Sequence, residues 1–299
     1  MIKITFLGTS DAIPSVKRNH TAILLSYKEE NILIDCGEGT QRQFKHAGIS
    51  PSKVTRLLIS HWHGDHVLGI PGLLQTLALG DHKKTLYIYG PRGTKKYMKE
   101  MFRTFHFFNK LSIKVFEIEK EGKFFETKDF FISAKKLRHG PHCLAYSFIK
   151  KGGLKIDKKK LEKSKLPNGP ILQNLKNGKD ITHNGKKYYA KSLTYREGDK
   201  KISIVLDTRY EKDIAPFVKN SDLLISESSF SNELKEKAKE HEHLTASQAG
   251  EIAKSAKVKK LILTHLSQRY EKNPEVILNE AKKVFKNSHL ARDLEVVEV

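Results

Sequence analysis

Cysteine is scarce in this chain, with only Cys36 and Cys143 among 299 residues. Two scattered thiols do not build a secreted disulfide framework, although a single bridge between them stays open. Long apolar runs are missing as well. None approaches the ~20 residues a membrane helix requires, which excludes a protein anchored by spanning helices. The first residues, Met1-Ile2-Lys3-Ile4-Thr5-Phe6, enter a strand at once and leave no room for a signal peptide, so a cytoplasmic location is expected. No repeat of fixed period is visible. Acidic residues are few: 34 Asp and Glu stand against 55 Lys and Arg, for a net charge of +21 and a pI near 9.7. Such a surplus concentrates polyanions near the protein and speeds their capture. A hot habitat that favours solvated lysines would produce the same total. Distribution separates the two explanations, because residues 150–200 hold 15 Lys or Arg and 5 Asp or Glu, a net of +10 in about a sixth of the chain.

What is present begins with an α/β pattern. Strands are expected at 2–8, 21–27, 31–35 and 55–60, with a helix near 39–47. The stretch 71–79 opens on a proline suited to a first helical turn. A strand at 86–89 and a helix at 93–105 follow, then strands near 113–118, 124–126, 130–136 and 144–149. Further on come strands at 202–206, 222–226 and 260–264, with helices across 247–256 and 274–285. With 38% hydrophobic residues this suffices for one buried core of two stacked sheets with helices outside. The insertion from 150 to 196 differs. It is Lys-rich, its apolar residues are sparse, and Leu166-Pro167-Asn168-Gly169-Pro170 cannot lie inside a helix or central strand. It reads as a segment projecting from the core.

The densest chemistry lies in Ser60-His61-Trp62-His63-Gly64-Asp65-His66, directly after the apolar strand Thr55-Arg56-Leu57-Leu58-Ile59. His61 and His63 alternate at the period of an extended chain and face one side. Gly64 then permits a turn that brings Asp65 and His66 to a second position. Imidazole and carboxylate donors suit zinc and its neighbours. One tetrahedral ion rarely draws four ligands from so short a segment, so two adjacent ions completed from elsewhere form the simpler reading.

His-x-His-x-Asp-His in this setting resembles the signature of the metallo-β-lactamase superfamily. The resemblance implies the αββα sandwich of two mixed β-sheets and three further ligands at strand ends. His139, Asp207 and His265 occupy those places. By resemblance, His61, His63 and His139 hold one ion, Asp65, His66 and His265 hold the other, and Asp207 bridges. His142 is the nearest competitor to His139, which is favoured because it comes directly off its strand and precedes a Gly-Pro turn. Within the superfamily the chain looks like the short form of the tRNase Z family. Phe6-Leu7-Gly8-Thr9-Ser10, the loop Pro14-Ser15-Val16-Lys17-Arg18-Asn19, Asp35-Cys36-Gly37-Glu38-Gly39-Thr40-Gln41, Gly69-Ile70-Pro71-Gly72-Leu73 and Gly169-Pro170 carry that likeness. It implies an inserted tRNA-binding arm at 150–196 within a single catalytic domain spanning 1–299. It also implies RNA contacts at Lys17, Arg18, Asn19, Gly169 and Pro170, and a homodimer. Three departures stand out. Val16 occupies the usual Lys position, which puts discrimination against CCA-bearing tRNA in question. Ser226-Glu227-Ser228-Ser229 keeps only the Glu of a His-Glu-Ala-Thr segment. His243-Leu244-Thr245 keeps the His of a His-Ser-Thr segment.

Two cations ~3.5–4 Å apart lower the pKa of a water between them and neutralise charge on a phosphate undergoing in-line displacement. Asp65 is the candidate base, His243 the candidate donor to a ribose leaving oxygen, and Glu227 its orienting partner. Lys17, Arg18 and Asn19 could equally be a solvated loop. Trp62 suits stacking and packing alike, whereas Phe102, Phe105, Phe107 and Phe108 read as a packing face. The expected function is a zinc-dependent endoribonuclease with two ions per subunit, manganese or iron also suiting the donors. It would remove the 3′ trailer of precursor tRNA after the discriminator base, leaving a 3′-hydroxyl on the tRNA and a 5′-phosphate on the trailer. A phosphodiesterase for small diesters is the competing enzyme but has no use for a +10 arm. An RNA-binding protein with a vestigial metal site is the competing non-enzyme, and the complete ligand set opposes it.

Overall fold

The computed structural model describes residues 1–80, 82–107, 111–140 and 142–299. Within them the chain forms two compact units. The larger comprises Met1–Phe125, Ile132–Phe148 and Lys201–Val299, and the smaller Glu126–Phe131 with Ile149–Lys200. Among the described residues no helix is long and apolar enough to cross a membrane.

Two seven-stranded mixed sheets form the main architecture. From edge to edge the first runs Val296–Glu298, Lys3–Gly8, Ala22–Tyr27, Glu30–Ile34, Arg56–Leu58, Leu86–Gly90 and Ile113–Glu117. Its first four strands pair antiparallel, and from Glu30–Ile34 onward the pairing is parallel. The second sheet runs Ser288–Leu290, Leu261–Thr264, Leu223–Glu227, Lys200–Val205, Cys143–Lys150, Phe130–Leu137 and Gly122–Glu126. The sheets face each other. The Tyr146 hydroxyl donates to Ile59 O at 2.6 Å, the Leu144 N–H donates to Ser60 O at 2.9 Å, and the Tyr27 and Phe148 rings lie 5.7 Å apart.

Strand alternation explains the outer layers. In Ala22–Tyr27 every apolar side chain is buried, so both faces are covered. Ala22 and Leu24 pack with Phe44, Leu73, Leu77 and Met98 from helices Thr40–His46, Ile70–Leu79 and Thr94–Thr104. On the second sheet, Val205, Leu224 and Leu263 pack with Ile252, Ala253, Ile277 and Ala281 from helices Ala246–Ser255 and Glu275–Val284. Each fully buried Leu or Ile contributes about 1.5–3 kcal/mol. Thr245 starts Ala246–Ser255 with a capping box closed by Gln248.

Two glycines position the metal-type motif. A Cβ on Gly69 would stand 2.0 Å from Gly37 O, and one on Gly37 would stand 2.4 Å from both Asp65 O and His20 Cβ. The backbones therefore touch, sealed by Gly69 N–H to Cys36 O at 2.9 Å and Cys36 N–H to His66 O at 2.8 Å. Both cysteines are buried and free, so the bridge left open by the sequence does not form.

The smaller unit corrects the expectation of sparse apolar content in 150–196. It contains helices Lys158–Ser164, Leu172–Lys176 and Ala190–Leu193 and two hairpin-like sheets, Leu154–Ile156 with Thr194–Arg196 and Ile181–His183 with Lys186–Tyr188. Leu161, Leu166, Leu175, Ile181, Tyr188, Ala190 and Leu193 bury one another. Seven apolar residues spread over thirty-odd positions look sparse in one dimension and still close a small core. Gly169 and Pro170 are exposed at the start of Leu172–Lys176.

Candidate metal centre

The candidate metal-binding face is assembled from strand ends. His61 follows Arg56–Leu58, Asp65 and His66 occupy the short helix Gly64–Val67, and His139 follows Phe130–Leu137. Asp207 follows Lys200–Val205, and His265 follows Leu261–Thr264. Strands stop there because each ligand must leave the ladder to point at a common centre. His265 does so with φ 57°, and Asp35, at the end of Glu30–Ile34, with φ 56°. Left-handed backbone in a non-glycine residue costs on the order of 1 kcal/mol or more and persists where the surroundings demand it.

The donor atoms of His61, His63, His139 and Asp207 converge within 4.8 Å of one another, and so do those of Asp65, His66, Asp207 and His265. Asp207 belongs to both groups, with Oδ2 3.3 Å from His66 Nε2 and 3.6 Å from His139 Nε2, and Oδ1 3.2 Å from His265 Nε2. The His63 and His139 nitrogens stand 3.0 Å apart. Whether this set fits cations is answered by its orphans: His61 Nε2, His66 Nε2 and Asp207 Oδ1 are buried without hydrogen-bond partners. Each such atom costs about 1–3 kcal/mol unless something takes it. Three at one centre, all imidazole or carboxylate, fit divalent cations. His142, the competitor of His139, is exposed and joins neither group.

Electrostatics agree with a ligand role. Burial, reinforced by neighbouring imidazoles, pushes His61 well below its ordinary pKa and lowers His63. Burial opposes charge on Asp207, yet His265 and His66 hold it ionised far below the carboxylate range. Burial likewise opposes charge on Asp65, and the His265 and His66 imidazoles beside it override that and hold it ionised. On His66 burial is outweighed by Asp207 and Asp35, which raise it well above 6.5. A cation arriving there must displace a proton.

The outer partners were not visible in the sequence. Asp35 Oδ2 accepts from His66 Nδ1 at 2.6 Å and from the Ser60 hydroxyl at 2.6 Å, while Oδ1 takes the Ser60 N–H at 2.7 Å. Ser60 Oγ also lies 3.0 Å from His61 Nδ1. His139 Nδ1 donates to Glu242 O at 2.9 Å, and Ser229 Oγ lies 2.8 Å from His265 Nδ1. Ligating imidazoles are held this way to fix tautomer and ring orientation. Ser229 also donates to Glu227 Oε2 at 2.8 Å, so the hydroxyl is the group its position requires despite the departure from the Thr pattern.

Glu227 is fully buried and brings its carboxylate 3.1 Å from His243 Nδ1, with the Thr208 N–H donating to it at 2.8 Å. His243 follows the end of helix Lys235–Glu240, and its ring centroid is 4.7 Å from that of His139 and 5.6 Å from that of His265. Burial lowers its proton affinity, but Glu227 raises it to a pKa of about 9. The neighbouring Leu244 is buried in the core that packs with Ile252 and Ala253, so this departure places an apolar side chain in an apolar setting. Beyond His243 opens a cleft of about 520 Å³ bordered by Ile13, Phe230, His241, Gln268 and Arg269.

The other expected contacts divide. Arg18 Nη1 donates to Thr9 Oγ1 and Ala291 O at 2.7 Å each, and Asn19 donates to Glu38 O and Asp293 Oδ2. Their donors secure the loop within the protein. Lys17 is exposed. The Trp62 indole N–H donates to Thr94 Oγ1 at 2.9 Å. Phe102 and Phe107 meet at 5.4 Å, and Phe107 packs on the helix-side core, whereas Phe105 is exposed and Phe108 lies outside the described residues.

Comparison with known proteins places these features in context. The chain is 40% identical to ribonuclease Z of Methanothermobacter thermautotrophicus, covering 100% of this chain and 97% of that protein. Ribonuclease Z of Oceanobacillus iheyensis is 37% identical with both chains covered in full. Among solved structures, human tRNase Z, short form, superposes with a TM-score of 0.73 at 26% identity over 99% of both chains. The metallo-beta-lactamase fold protein YhfI from Bacillus subtilis gives a TM-score of 0.73 at 22% identity, covering 100% and 99%. A family model described as Anti-Pycsar protein Apyc1 matches residues 2–102, a stretch that contains the His61–His66 motif but none of His139, Asp207 or His265.

Proposed function

Because the chain belongs to the ribonuclease Z family and has the metallo-β-lactamase fold, we propose that it removes the 3′ trailer of precursor tRNA as a metal-dependent endoribonuclease. It cuts after the discriminator base, leaving a 3′-hydroxyl on tRNA and a 5′-phosphate on the trailer. The observation that carries this reading is the doubled donor set sharing Asp207, with three buried orphan donors, beside a carboxylate-held imidazolium.

Two zinc ions are the proposed cofactors, one held by His61, His63 and His139, the other by Asp65, His66 and His265, with Asp207 common to both. When bound, they supply Lewis acidity toward the scissile phosphate and acidify a water. The chain does the rest. Asp65 is ionised at neutral pH and faces the cleft, where it orients the attacking water and accepts its proton transiently. So depressed a carboxylate does not keep that proton. His243, protonated by virtue of Glu227, delivers a proton to the departing ribose 3′-oxygen. Water adds to phosphorus and the P–O3′ bond breaks; Asp65 passes the water's proton to solvent, and His243 takes one back from solvent before the next turnover.

The smaller unit, with its net +10 segment, is the proposed tRNA-binding arm, Gly169 and Pro170 at its exposed turn. A cytoplasmic homodimer in which one subunit's basic unit holds the tRNA that the other cuts completes the proposal.

The test is cleavage of a transcribed precursor tRNA in zinc or manganese with mapped ends. Wild type is run beside Asp65→Ala and a triple change, Lys158→Ala with Lys159→Ala and Lys163→Ala, at exposed positions. A single cut after the discriminator base, lost in Asp65→Ala and weakened in the triple variant, supports the reading. Hydrolysis of a small diester with intact RNA in every lane would overturn it.

A further inference from the structure

His63 and His139 form a divide. One side is the His243 cleft; on the other a second cleft of about 290 Å³ is bordered by Trp62, Arg92, Tyr97 and His142. Pro91, Arg92 and His142 also border a third cavity of about 420 Å³, which adds Lys136 and one carboxylate, Glu119. A continuous groove thus leads from the candidate metal centre past two aromatic rings to basic side chains.

The aromatic pair is held in place. Trp62 donates to Thr94 Oγ1, Thr94 donates to Pro91 O at 2.7 Å, and the Trp62 and Tyr97 ring centroids stand 5.0 Å apart. Tyr97 is 42% exposed, and Arg92 and Lys136 are exposed with no ion pair among the described residues. Exposed rings interleaved with unpaired cations are the surface that single-stranded nucleic acid prefers, bases stacking on the rings and phosphates meeting the charges.

We propose that this groove is the subsite for the first nucleotides of the 3′ trailer. The inference rests on the nuclease reading above. His243 protonates the oxygen of the nucleoside that stays with the tRNA, so that nucleoside occupies the His243 cleft with Phe230 and Arg269. The trailer stays bonded to the same phosphorus through its 5′-oxygen, extends away from the departing 3′-oxygen and cannot share that space. The groove beyond the divide is a second cavity bordered by His63 and His139. Trp62 and Tyr97 then stack on the first trailer bases, and Arg92 and Lys136 neutralise the phosphates that follow.

The experiment uses full-length protein and precursor tRNAs with one-nucleotide and six-nucleotide trailers. Bis(p-nitrophenyl) phosphate is the control. Tyr97→Leu and the double change Arg92→Ala with Lys136→Ala leave buried positions and ligands untouched. The double variant is expected to lose about tenfold in kcat/KM on the long trailer, to change little on the short one and to keep the small diester rate. Tyr97→Leu is expected to lose about tenfold on both RNAs while keeping the diester rate. With 4-thiouridine as the first trailer base in Asp65→Ala, ultraviolet crosslinks should map to the peptide containing Tyr97. Equal rates in variants and wild type, or crosslinks at Phe230 and His241, would overturn the subsite alone. Wild type that hydrolyses the small diester but neither RNA would overturn the nuclease reading and the subsite with it.

Discussion

Asp35 Oδ2 lies 2.6 Å from His66 Nδ1, and both side chains are fully buried. The same carboxylate takes two donors from Ser60, whose hydroxyl reaches His61. One residue outside the ligand set therefore orients a ligand of each proposed ion. Asp35→Ala should lower metal affinity about 10–100-fold, measured by competition with a chromogenic chelator. Stripping the metal with a strong chelator should abolish cleavage by the wild type, and added zinc should restore it.

His243 owes its pKa of about 9 to Glu227 acting against burial. The acid form is required, so the contribution of His243 is fully present below the ordinary value of 6.5 and is lost as pH rises through the raised one. Glu227→Gln removes the charge and should move the basic limb of the kcat profile downward by a unit or more. Bound cations pull that limb down in both proteins, so the comparison is made in the same metal.

Burial holds the Cys36 thiol protonated up to about 12, with Asp35 adding to the rise and a hydrogen bond with Thr40 opposing it. The folded pKa exceeds the unfolded one, so the contribution is intact below about 9 and fades between 9 and 12. Three units correspond to about 4 kcal/mol at most. Cys36→Ala should unfold with a shallower pH dependence above 9, and a thiol reagent at pH 8 should label neither cysteine until denaturant is added.

Arg18 and Lys17 are neighbours with opposite expectations. Arg18→Ala breaks two hydrogen bonds from a charged donor, which contribute about 1.5–3 kcal/mol each. It should lower the melting temperature. Lys17→Ala, exposed, should leave melting unchanged and weaken tRNA binding, with a shallower salt dependence. Calorimetry beside filter binding separates them.

Leu175 is completely buried in the small unit's core. Leu175→Ala should cost that unit about 2–5 kcal/mol. Limited proteolysis should then cut within 149–200, while hydrolysis of a small diester persists and precursor tRNA cleavage falls.

Much of the fold was legible because strand and helix periods in the large unit coincide with burial on both sides of each sheet. Residues 22–25 and 261–263 are continuous apolar runs, and Ala246–Ser255 starts at a hydroxyl cap. The small unit's core was not foreseen because its buried residues come one at a time from short elements, too few per element to establish a period. Expected and observed bounds of the elements that were foreseen differ by a residue or two, whereas helices Ile214–Val218 and Lys235–Glu240 and strands Ser288–Leu290 and Val296–Glu298 were not expected.

The candidate ligands could be named from the chain because each is either within the His61–His66 run or the polar residue that ends an apolar strand. That is local chemistry, carried by residue type and order. Only the tertiary structure could decide which partner holds each ligand. Asp35 meets His66 across 31 positions, Glu242 O receives His139 across 103, and Ser229 receives His265 across 36. No periodicity encodes such pairs, since they exist only once two sheets and the Gly37–Gly69 contact bring separate strand ends to one point. The same closure turned Arg18 and Asn19 inward toward Thr9 and Asp293 and left Lys17 outside. It was packing, rather than composition, that settled which cations remain free to meet a phosphate.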